Sequence, residues 1–218
     1  MATYWARSVL KEENITYRES RAEDRNGISS LNSSFRTNTV FCVNVASGGL
    51  GFTVKETTNN YIIVKKYPDE SEEEDDVNNT ENKGEDDNSI SAASIQAEDG
   101  ISCPSNTYAM VALGDFNYVC GSIGTNYHAW NKRLVMTCLV ISPDYRGRGI
   151  SWKLMEIVTE RGHNIHGAAR VWLEVANINA LAIKAYLRVG FRICGLDLSL
   201  YEGTTSEGEI ALFMSRLC

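Results

Sequence analysis

The nine residues PDYRGRGIS at positions 143–151 limit the fold of this chain more than any other segment. The run LVMTCLVI at 134–141 before it predicts a buried strand, and after it Trp152, Leu154, Met155, Ile157 and Val158 recur at helical spacing. The segment is therefore predicted to be a turn between a strand and a helix. Amides of the first helical turn lack partners within the helix and attract anions, and Gly147 and Gly149 let the backbone come close to one. This arrangement predicts a cofactor that contains a pyrophosphate.

Two better-known phosphate loops do not match this turn. No Lys-Ser or Lys-Thr pair follows the second glycine, and the third glycine of a dinucleotide fingerprint is absent. The pattern Arg-x-x-Gly-x-small, formed by Arg146, Gly149 and Ser151, resembles instead the acetyl-coenzyme A motif of the GNAT superfamily of N-acetyltransferases. That resemblance implies an α/β (α+β) fold: a mixed, mostly antiparallel twisted sheet, with central parallel strands splayed around acetyl-CoA and helices on both faces.

A second motif lies about thirty residues further on. The segment NALAIKAYLRVGF at 179–191 resembles the GNAT helix that follows the strand next to the cofactor. The resemblance implies that Asn179 hydrogen-bonds the cofactor arm and that Tyr186 lies beside the thioester sulfur as the general acid. Taken alone, Tyr186 also fits a core tyrosine with a satisfied hydroxyl.

Further segments narrow the resemblance to streptothricin (nourseothricin) acetyltransferases over nearly the whole chain. They are SFRTNTVF at 34–41, the acidic run after Pro68, WNKRL at 130–134, WLEV at 172–175 and CGLDLSLYEGTTSEGEIAL at 194–212. The resemblance implies acetyl transfer from acetyl-CoA to the β-lysine amine of a streptothricin, which is antibiotic resistance by acetylation. The alternatives are a catalytically weakened module that binds acetyl-CoA or a cationic ligand, and an acetyltransferase for a polyamine or a protein lysine.

The resemblance also assigns site residues. The residues expected to bind the cofactor are Leu139, Val140, Ile141, Arg146, Gly147, Arg148, Gly149, Ile150, Ser151, Asn179 and Tyr186. The residues expected to contact the acceptor are Phe35, Trp130, Asp197, Tyr201 and Glu202. Trp130 is included because its ring can offer a face to a cation.

The acceptor amine must lose a proton before it reacts, so the site needs a general base. An alkyl ammonium with a pKa near ~10.4 is neutral in only about one molecule in a thousand at pH 7, and only the neutral amine attacks a thioester. Where the resembling enzymes carry carboxylates on the strand before the turn, this chain has Thr137, Cys138 and Val140. Glu174 on the next strand is then the candidate catalytic base, acting through water, unless it points into solvent. A covalent role for Cys138 is not expected because no histidine lies near it in sequence.

A length of 218 residues is enough for one domain with a substantial core and short for two, so we predict one domain over residues 1–218. We expect a helix-containing opening at 12–45, a hairpin formed by runs 52–56 and 61–65, and a second hairpin of 108–113 and 118–124 around a turn at 114–117. Helices are predicted at 151–161 and 179–189, and further strands at 134–141, 170–175, from 191, and at 209–216. An acidic insertion at about 68–105 lacks periodicity, and we expect much of it to be mobile.

Charge and cysteine content exclude several functions. Positions 69–87 hold eleven acidic residues and one lysine, a local charge of −10 within an overall −7, so a nucleic-acid partner is disfavoured. The insertion either is only a solvated segment or gathers a cationic substrate. Six cysteines without C-x-x-C spacing predict no metal site, and neither a membrane span nor a secretory signal is evident. We therefore expect a cytoplasmic enzyme for a cationic small-molecule amine, either monomeric or a homodimer.

Overall fold

A computed structural model describes residues 14–49, 51–67 and 105–218. Most of the predicted acidic insertion, at about 68–105, lies outside these residues. The strands and helices are, in chain order, β1 (Thr16–Glu19), α1 (Arg25–Ser29), β2 (Phe35–Val45), β3 (Phe52–Lys65), β4 (Thr107–Leu113), β5 (Val119–His128), β6 (Arg133–Ile141), α2 (Ile150–His166), β7 (Arg170–Ala176), α3 (Ala180–Arg188), β8 (Arg192–Asp197) and β9 (Ala211–Leu217).

Seven strands form one mixed sheet in the order β1-β4-β5-β6-β7-β9-β8. Its neighbours are antiparallel except for β6 and β7, which are the parallel pair joined through α2. Alternate residues of β4 face opposite sides: Met110 joins the core cluster that contains α2, whereas Val111 packs with Ile28 of α1. The predicted α/β class and the mostly antiparallel sheet with helices on both faces are therefore confirmed.

The second crossover differs from the expectation in one respect. Strands β7 and β8 run in the same direction but do not pair, because β9 lies between them and is antiparallel to both. Among the described strands, only β6 and β7 thus form a parallel pair. The terminal strand enters the sheet because alternate residues of β9, Leu212 and Met214, are fully buried in the main core.

Residues 12–45 were predicted to be a helix-containing opening, and the part described, from residue 14, does contain an α-helix, the five-residue α1. The long strand Phe35–Val45 in the same segment was not predicted. The hairpin predicted from 52–56 and 61–65 was wrong, since Phe52–Lys65 is one strand paired with β2. Between Thr37 and Thr39 four residues of β3 stand against one of β2, so β3 has three extra residues there and the polar break in its sequence is a bulge rather than a turn.

Helix α2 extends past its predicted end at Arg161 to His166. Gly162 does not end it, because this glycine leaves room for Leu134, whose side chain would lie 2.8 Å from an added Cβ. The helix ends at Gly167, with φ 67° and its amide bonded to the His163 carbonyl. No helix among the described ranges is long and apolar enough to cross a membrane.

Asn177 joins the β2–β3 ribbon to the main sheet. Its amide nitrogen donates to the Phe41 carbonyl at 3.0 Å, and its side-chain oxygen accepts from the Ile210 amide at 2.9 Å. Its backbone carbonyl also accepts from the Phe41 amide at 2.9 Å. This residue, which the sequence did not single out, therefore holds the middle of β2 beside the end of β7 and the start of β9.

Asn177→Ala is expected to lower the free energy of unfolding by about 1–3 kcal/mol, because it leaves a carbonyl and an amide without their partners. Urea denaturation measures this change. The matched control is Asn131→Ala, which removes one exposed bond to the Arg133 amide and should cost less than about 1 kcal/mol. Equal losses in the two variants would contradict a joining role for Asn177.

Candidate active site

A cleft of about 520 Å³ opens where β6 separates from β7. The two strands pair only from Arg133 with Arg170 to Met136 with Leu173. At that point β6 carries a bulge at Thr137, since Thr125 of β5 pairs with Met136 and Gly124 with Cys138. A bulge bends its strand, so β6 turns away from β7 there. Thr137, Cys138 and Glu174 are consequently exposed although they lie in the middle of the sheet.

Gly124 makes this bulge sterically feasible. A Cβ on Gly124 would lie 2.7 Å from the Thr137 hydroxyl oxygen and 3.0 Å from the Cys138 sulfur. Beyond the bulge β6 keeps β5 on one side and has no strand on the other. Backbone groups of 139–141 that would otherwise pair with β7 therefore face the cleft.

The turn at 143–151 forms one end of the cleft. Gly147 and Gly149 have φ of 78° and 80°, the left-handed conformation that favours glycine, and a Cβ on either would meet no protein atom within 4 Å. The Gly149 carbonyl accepts from the Lys153 amide at 3.0 Å, so the amides of 150–152 precede the first α-helical bond. The turn thus offers free amides and open space, which suits the phosphates of a cofactor.

Most residues predicted to bind the cofactor line this cleft. They are Leu139, Val140, Ile141, Arg146, Gly147, Gly149, Ile150, Ser151, Asn179 and Tyr186, and Phe35, predicted as an acceptor contact, joins them. Arg148 is not among the lining residues, because its guanidinium donates to the Asp144 carbonyl and lies 5.0 Å from the centre of the Tyr145 ring.

Arg146 holds the turn against the chain before β2. Its guanidinium donates to the carbonyls of Ile141 at 2.9 Å, Ser34 at 2.7 Å and Asn32 at 3.0 Å. Three carbonyl acceptors use most of the donors of this side chain. Its observed contacts therefore fix the shape of the cleft.

Helix α3 supplies the opposite wall. The Asn179 side-chain oxygen caps the helix by accepting from the Ala182 amide at 3.2 Å, which leaves its amide nitrogen for the cleft. Tyr186 is buried, and burial raises its pKa, with smaller contributions from Glu174 and Cys138. Within the described part of the chain, no residue hydrogen-bonds to the Tyr186 hydroxyl. The hydroxyl therefore stays protonated at neutral pH and can donate to a group in the cleft.

Glu174 stands on β7 just past the point of separation. Its carboxylate accepts a hydrogen bond from the Tyr201 hydroxyl, which brings the loop before β9 over the strand. Solvent reaches the side chain, but surrounding protein atoms raise its pKa; the Tyr201 bond lowers it and the charge of Glu209 raises it. Such a carboxyl group is a stronger base than an ordinary glutamate.

A second carboxylate, Glu209, was missed by the sequence reasoning. It accepts from the Tyr67 hydroxyl and forms an ion pair of 3.1 Å with Lys65. The ring of Tyr67 also stacks on Phe35, with centroids 6.1 Å apart. The only sequence signal was that Glu209 falls in the family-specific segment 194–212.

Three predicted acceptor residues lie elsewhere or have other partners. Trp130 is 85% exposed in the turn before Arg133, at the opposite end of β6 from the cleft, so the structure does not bring it to the site. Asp197 accepts from the Ser199 amide and hydroxyl, and these bonds lower its pKa. Glu202 is exposed, and its backbone closes the same loop on Ser199.

Three residues of β6 stand where the resembling enzymes carry carboxylates, and all three lie beyond the segment that pairs with β7. They are Thr137, Cys138 and Val140. Val140 lines the cleft, whereas the Thr137 and Cys138 side chains lie beside Gly124 of β5 and are exposed. Solvent reaches Cys138, but the protein atoms packed around its sulfur desolvate the thiol and raise its pKa, which disfavours the thiolate that a nucleophile needs. Within residues 14–49, 51–67 and 105–218, no group of three or more His, Cys, Asp or Glu side chains is arranged to hold a metal ion.

Comparisons with known proteins agree with this geometry. Residues 68–191 match the acetyltransferase (GNAT) family. Streptothricin acetyltransferase of Streptomyces lavendulae is 38% identical over 93% of this chain and 94% of its own length. The crystal structure of nourseothricin acetyltransferase superposes with a TM-score of 0.73 and 35% identity, covering 94% of this chain and 98% of that one.

A further structure has the same fold. A protein from Bacillus anthracis str. Ames, crystallised with acetyl coenzyme A, superposes with a TM-score of 0.68 over 94% of this chain and 99% of its own, at 18% identity. Together with the splayed parallel pair and the glycine turn, these matches identify the chain as a member of the GNAT family of acetyltransferases.

Proposed function

We propose that this protein transfers the acetyl group of acetyl-CoA to a cationic amine of a streptothricin-type antibiotic and thereby inactivates it. One observation carries the proposal: the cleft extends from the glycine turn to Tyr186, and Glu174 lies close enough to Tyr186 for its charge to raise the pKa of that hydroxyl. The near full-length similarity to a streptothricin acetyltransferase supports the choice of acceptor. The β-lysine amine predicted from the sequence is the reacting group in this proposal.

The turn is suited to hold the cosubstrate, whose thioester supplies the acetyl group. In this proposal the amides of 150–152, with Gly147 and Gly149, bind the pyrophosphate, and the free edge of β6 at 139–141 pairs with the pantetheine arm. The Asn179 amide nitrogen donates to the same arm. Arg146 contributes to cofactor binding indirectly in this proposal, because its hydrogen bonds to three backbone carbonyls hold the turn in shape.

Glu174 and Tyr186 handle the protons. Glu174 accepts one proton of the ammonium group through water, so that the nitrogen can attack the thioester carbon. A backbone amide of 139–141 donates to the oxyanion as it forms. When the carbon–sulfur bond breaks, Tyr186 donates a hydrogen bond to the leaving thiolate, which takes up the second amine proton. Glu174 then releases its proton to water, so the products are an amide, a thiol and one proton.

The domain organisation, the compartment, the acceptor contacts and the oligomeric state belong to the same proposal. We infer that residues 1–218 act as a single domain in the cytoplasm. Phe35 and Tyr201 remain as acceptor contacts, since Phe35 lines the cleft and Tyr201 bonds Glu174. A homodimer is the alternative to a monomer, and sedimentation velocity distinguishes them.

Thiol release from acetyl-CoA tests the function. Purified protein is expected to release thiol with streptothricin and to add one acetyl mass to it, with much lower kcat/KM for spermidine and a lysine peptide. Release with spermidine or the peptide alone would make the protein an acetyltransferase for those amines. Calorimetric binding of acetyl-CoA without thiol release from any acceptor would show a weakened module and overturn the proposal.

A further inference from the structure

The cleft continues past the glycine turn into a part that is lined by two helices, which we call the interhelical groove. Trp152 and Met155 line it from α2, and Leu181, Ala185 and Arg188 line it from α3. The three residues of α3 are spaced at i, i+4 and i+7, so they form one stripe along that helix. The contacts proposed for the pyrophosphate and the pantetheine arm use none of these five side chains.

Two large apolar side chains of the interhelical groove are exposed. Trp152 is 48% exposed and Leu181 is 52% exposed, one on each helix. A single exposed apolar residue is common on a protein surface, whereas two that line the same cavity give a ligand apolar walls. Because a tryptophan ring can stack on another ring, these walls suit a flat aromatic group.

The groove also contains a cation. The residues that line the whole cleft include two arginines and no carboxylate, and Arg146 already donates to three backbone carbonyls. Arg188 is exposed, and no residue in the described part of the chain forms a hydrogen bond or an ion pair with its guanidinium. Lys184, one turn earlier on α3, is instead paired with Glu56 at 2.6 Å. Arg188 is thus the cation of the cleft that remains for an anion.

The surroundings of Arg188 are also basic. A second cavity of about 430 Å³ adjoins this end of the groove, since Val189 lines both, and its lining includes Arg170, Arg192 and Arg216 but no carboxylate. This contrasts with the formal charge of −7 for the whole chain. The carbonyls at the end of a helix favour basic side chains by themselves, so charge alone does not require a ligand. The apolar walls and the unpaired cation in one cavity together indicate a ligand with a flat ring and an anionic group.

We propose that the interhelical groove binds the adenosine 3′-phosphate end of acetyl-CoA, with the adenine against Trp152 and Leu181 and the 3′-phosphate at Arg188. The inference rests on the proposed acetyl transfer and extends it to the nucleotide. A phosphate monoester carries about −1.5 to −2 charge at pH 7, and this one is separate from the pyrophosphate that the turn binds. Arg188 thereby makes the protein select thioesters of CoA over those of dephospho-CoA.

Calorimetry with CoA and with dephospho-CoA, which lacks only the 3′-phosphate, tests the role of Arg188. Wild-type protein should bind CoA about 5- to 30-fold more tightly, the effect expected of a charged hydrogen-bonded pair at an exposed position. Arg188→Gln should abolish this preference by weakening the binding of CoA alone. Arg25→Gln is the matched control, because it removes an exposed arginine of α1, on the other face of the sheet, and should keep the preference.

Trp152→Leu tests the contact with adenine. It should weaken the binding of CoA and of dephospho-CoA by the same factor, about 5- to 20-fold, because both ligands carry the base. Binding of 4′-phosphopantetheine, which lacks the nucleotide, should be unchanged. Trp130→Leu is the control, since Trp130 is an exposed tryptophan at the far end of β6, and it should bind all three ligands as the wild type does.

The outcomes separate this inference from the proposed function. A wild-type protein that binds CoA and dephospho-CoA equally, or an Arg188→Gln variant that keeps the preference, would overturn the inference, while thiol release with streptothricin would still stand. Failure of the wild-type protein to bind CoA at all would overturn both. The comparison of the two ligands on the wild type needs no variant, so it decides the question even if a variant fails to fold.

Discussion

Replacing Glu174 with glutamine is expected to lower kcat/KM for the amine by about 10²- to 10⁴-fold, the usual contribution of a positioned base. Glutamine keeps the shape of the side chain and an oxygen for the Tyr201 hydroxyl, so the loss arises from the missing proton acceptor. Binding of acetyl-CoA, measured by calorimetry, should be unchanged. Glu160→Gln on the exposed surface of α2 is the control and should keep full activity.

The same substitution has an opposite expected effect on stability. Surrounding protein atoms desolvate the Glu174 carboxylate and raise its pKa above the unfolded value although solvent reaches the side chain, so the folded state favours the protonated carboxyl. Its favourable contribution to stability is complete below the unfolded pKa and is lost as pH rises through the folded pKa. At a pH above its raised folded pKa the glutamate is charged at a cost, and Glu174→Gln should therefore raise Tm there, with the gain disappearing at low pH.

Thermal unfolding at two pH values checks this sign. An enzyme that loses activity without gaining Tm near pH 8 would mean that the Tyr201 bond fully offsets the desolvation of the carboxylate. Wild-type activity at low pH gives a second check. It should decline at a pH above the ordinary titration range of a glutamate. Full activity of Glu174→Gln would show that the base lies elsewhere in the cleft.

Local sequence signals predicted the turn and its flanking elements well. An apolar run, two glycines at positive φ and a helical stripe all lie within about 25 consecutive residues, and each acts through its immediate neighbours. The length of α2 was underestimated because Gly162 looks like an end signal, while its packing on Leu134 depends on tertiary structure. The same limit explains why the polar residues in the middle of β3 looked like a turn.

We expect the acceptor to bind around Glu174 and Tyr201. This part of the site depends on contacts between segments that are far apart in sequence. Tyr67 and Glu209 are 142 positions apart, and they meet only because β9 enters the sheet between β7 and β8 while Asn177 holds the β2–β3 ribbon nearby. Periodicity and motifs carry no information on such a contact. Trp130 illustrates the converse, because an aromatic residue in a family-like segment lies at the far end of β6.

The phosphate turn gives the other large expected effect. Gly149→Ala should weaken acetyl-CoA binding by about 10- to 100-fold, the loss of one or two hydrogen bonds to a charged group. The added methyl meets no protein atom but projects from the turn at which we expect the phosphates to bind. Alanine also disfavours the φ of 80° at this position, and a shift of the backbone would turn the helix amides away from their anion.

Gly167→Ala is the control that separates backbone strain from the loss of contacts with the phosphates. Gly167 flanks the other end of the same helix, with a φ of 67° and equally open surroundings. Both variants should lose about 1 kcal/mol of stability from the strained backbone, which urea denaturation measures. Only Gly149→Ala should lose affinity for acetyl-CoA in calorimetry. Equal affinities in the two variants would mean that the cosubstrate phosphates do not bind at the start of α2, and the orientation assigned to the whole cleft would then have to be reversed.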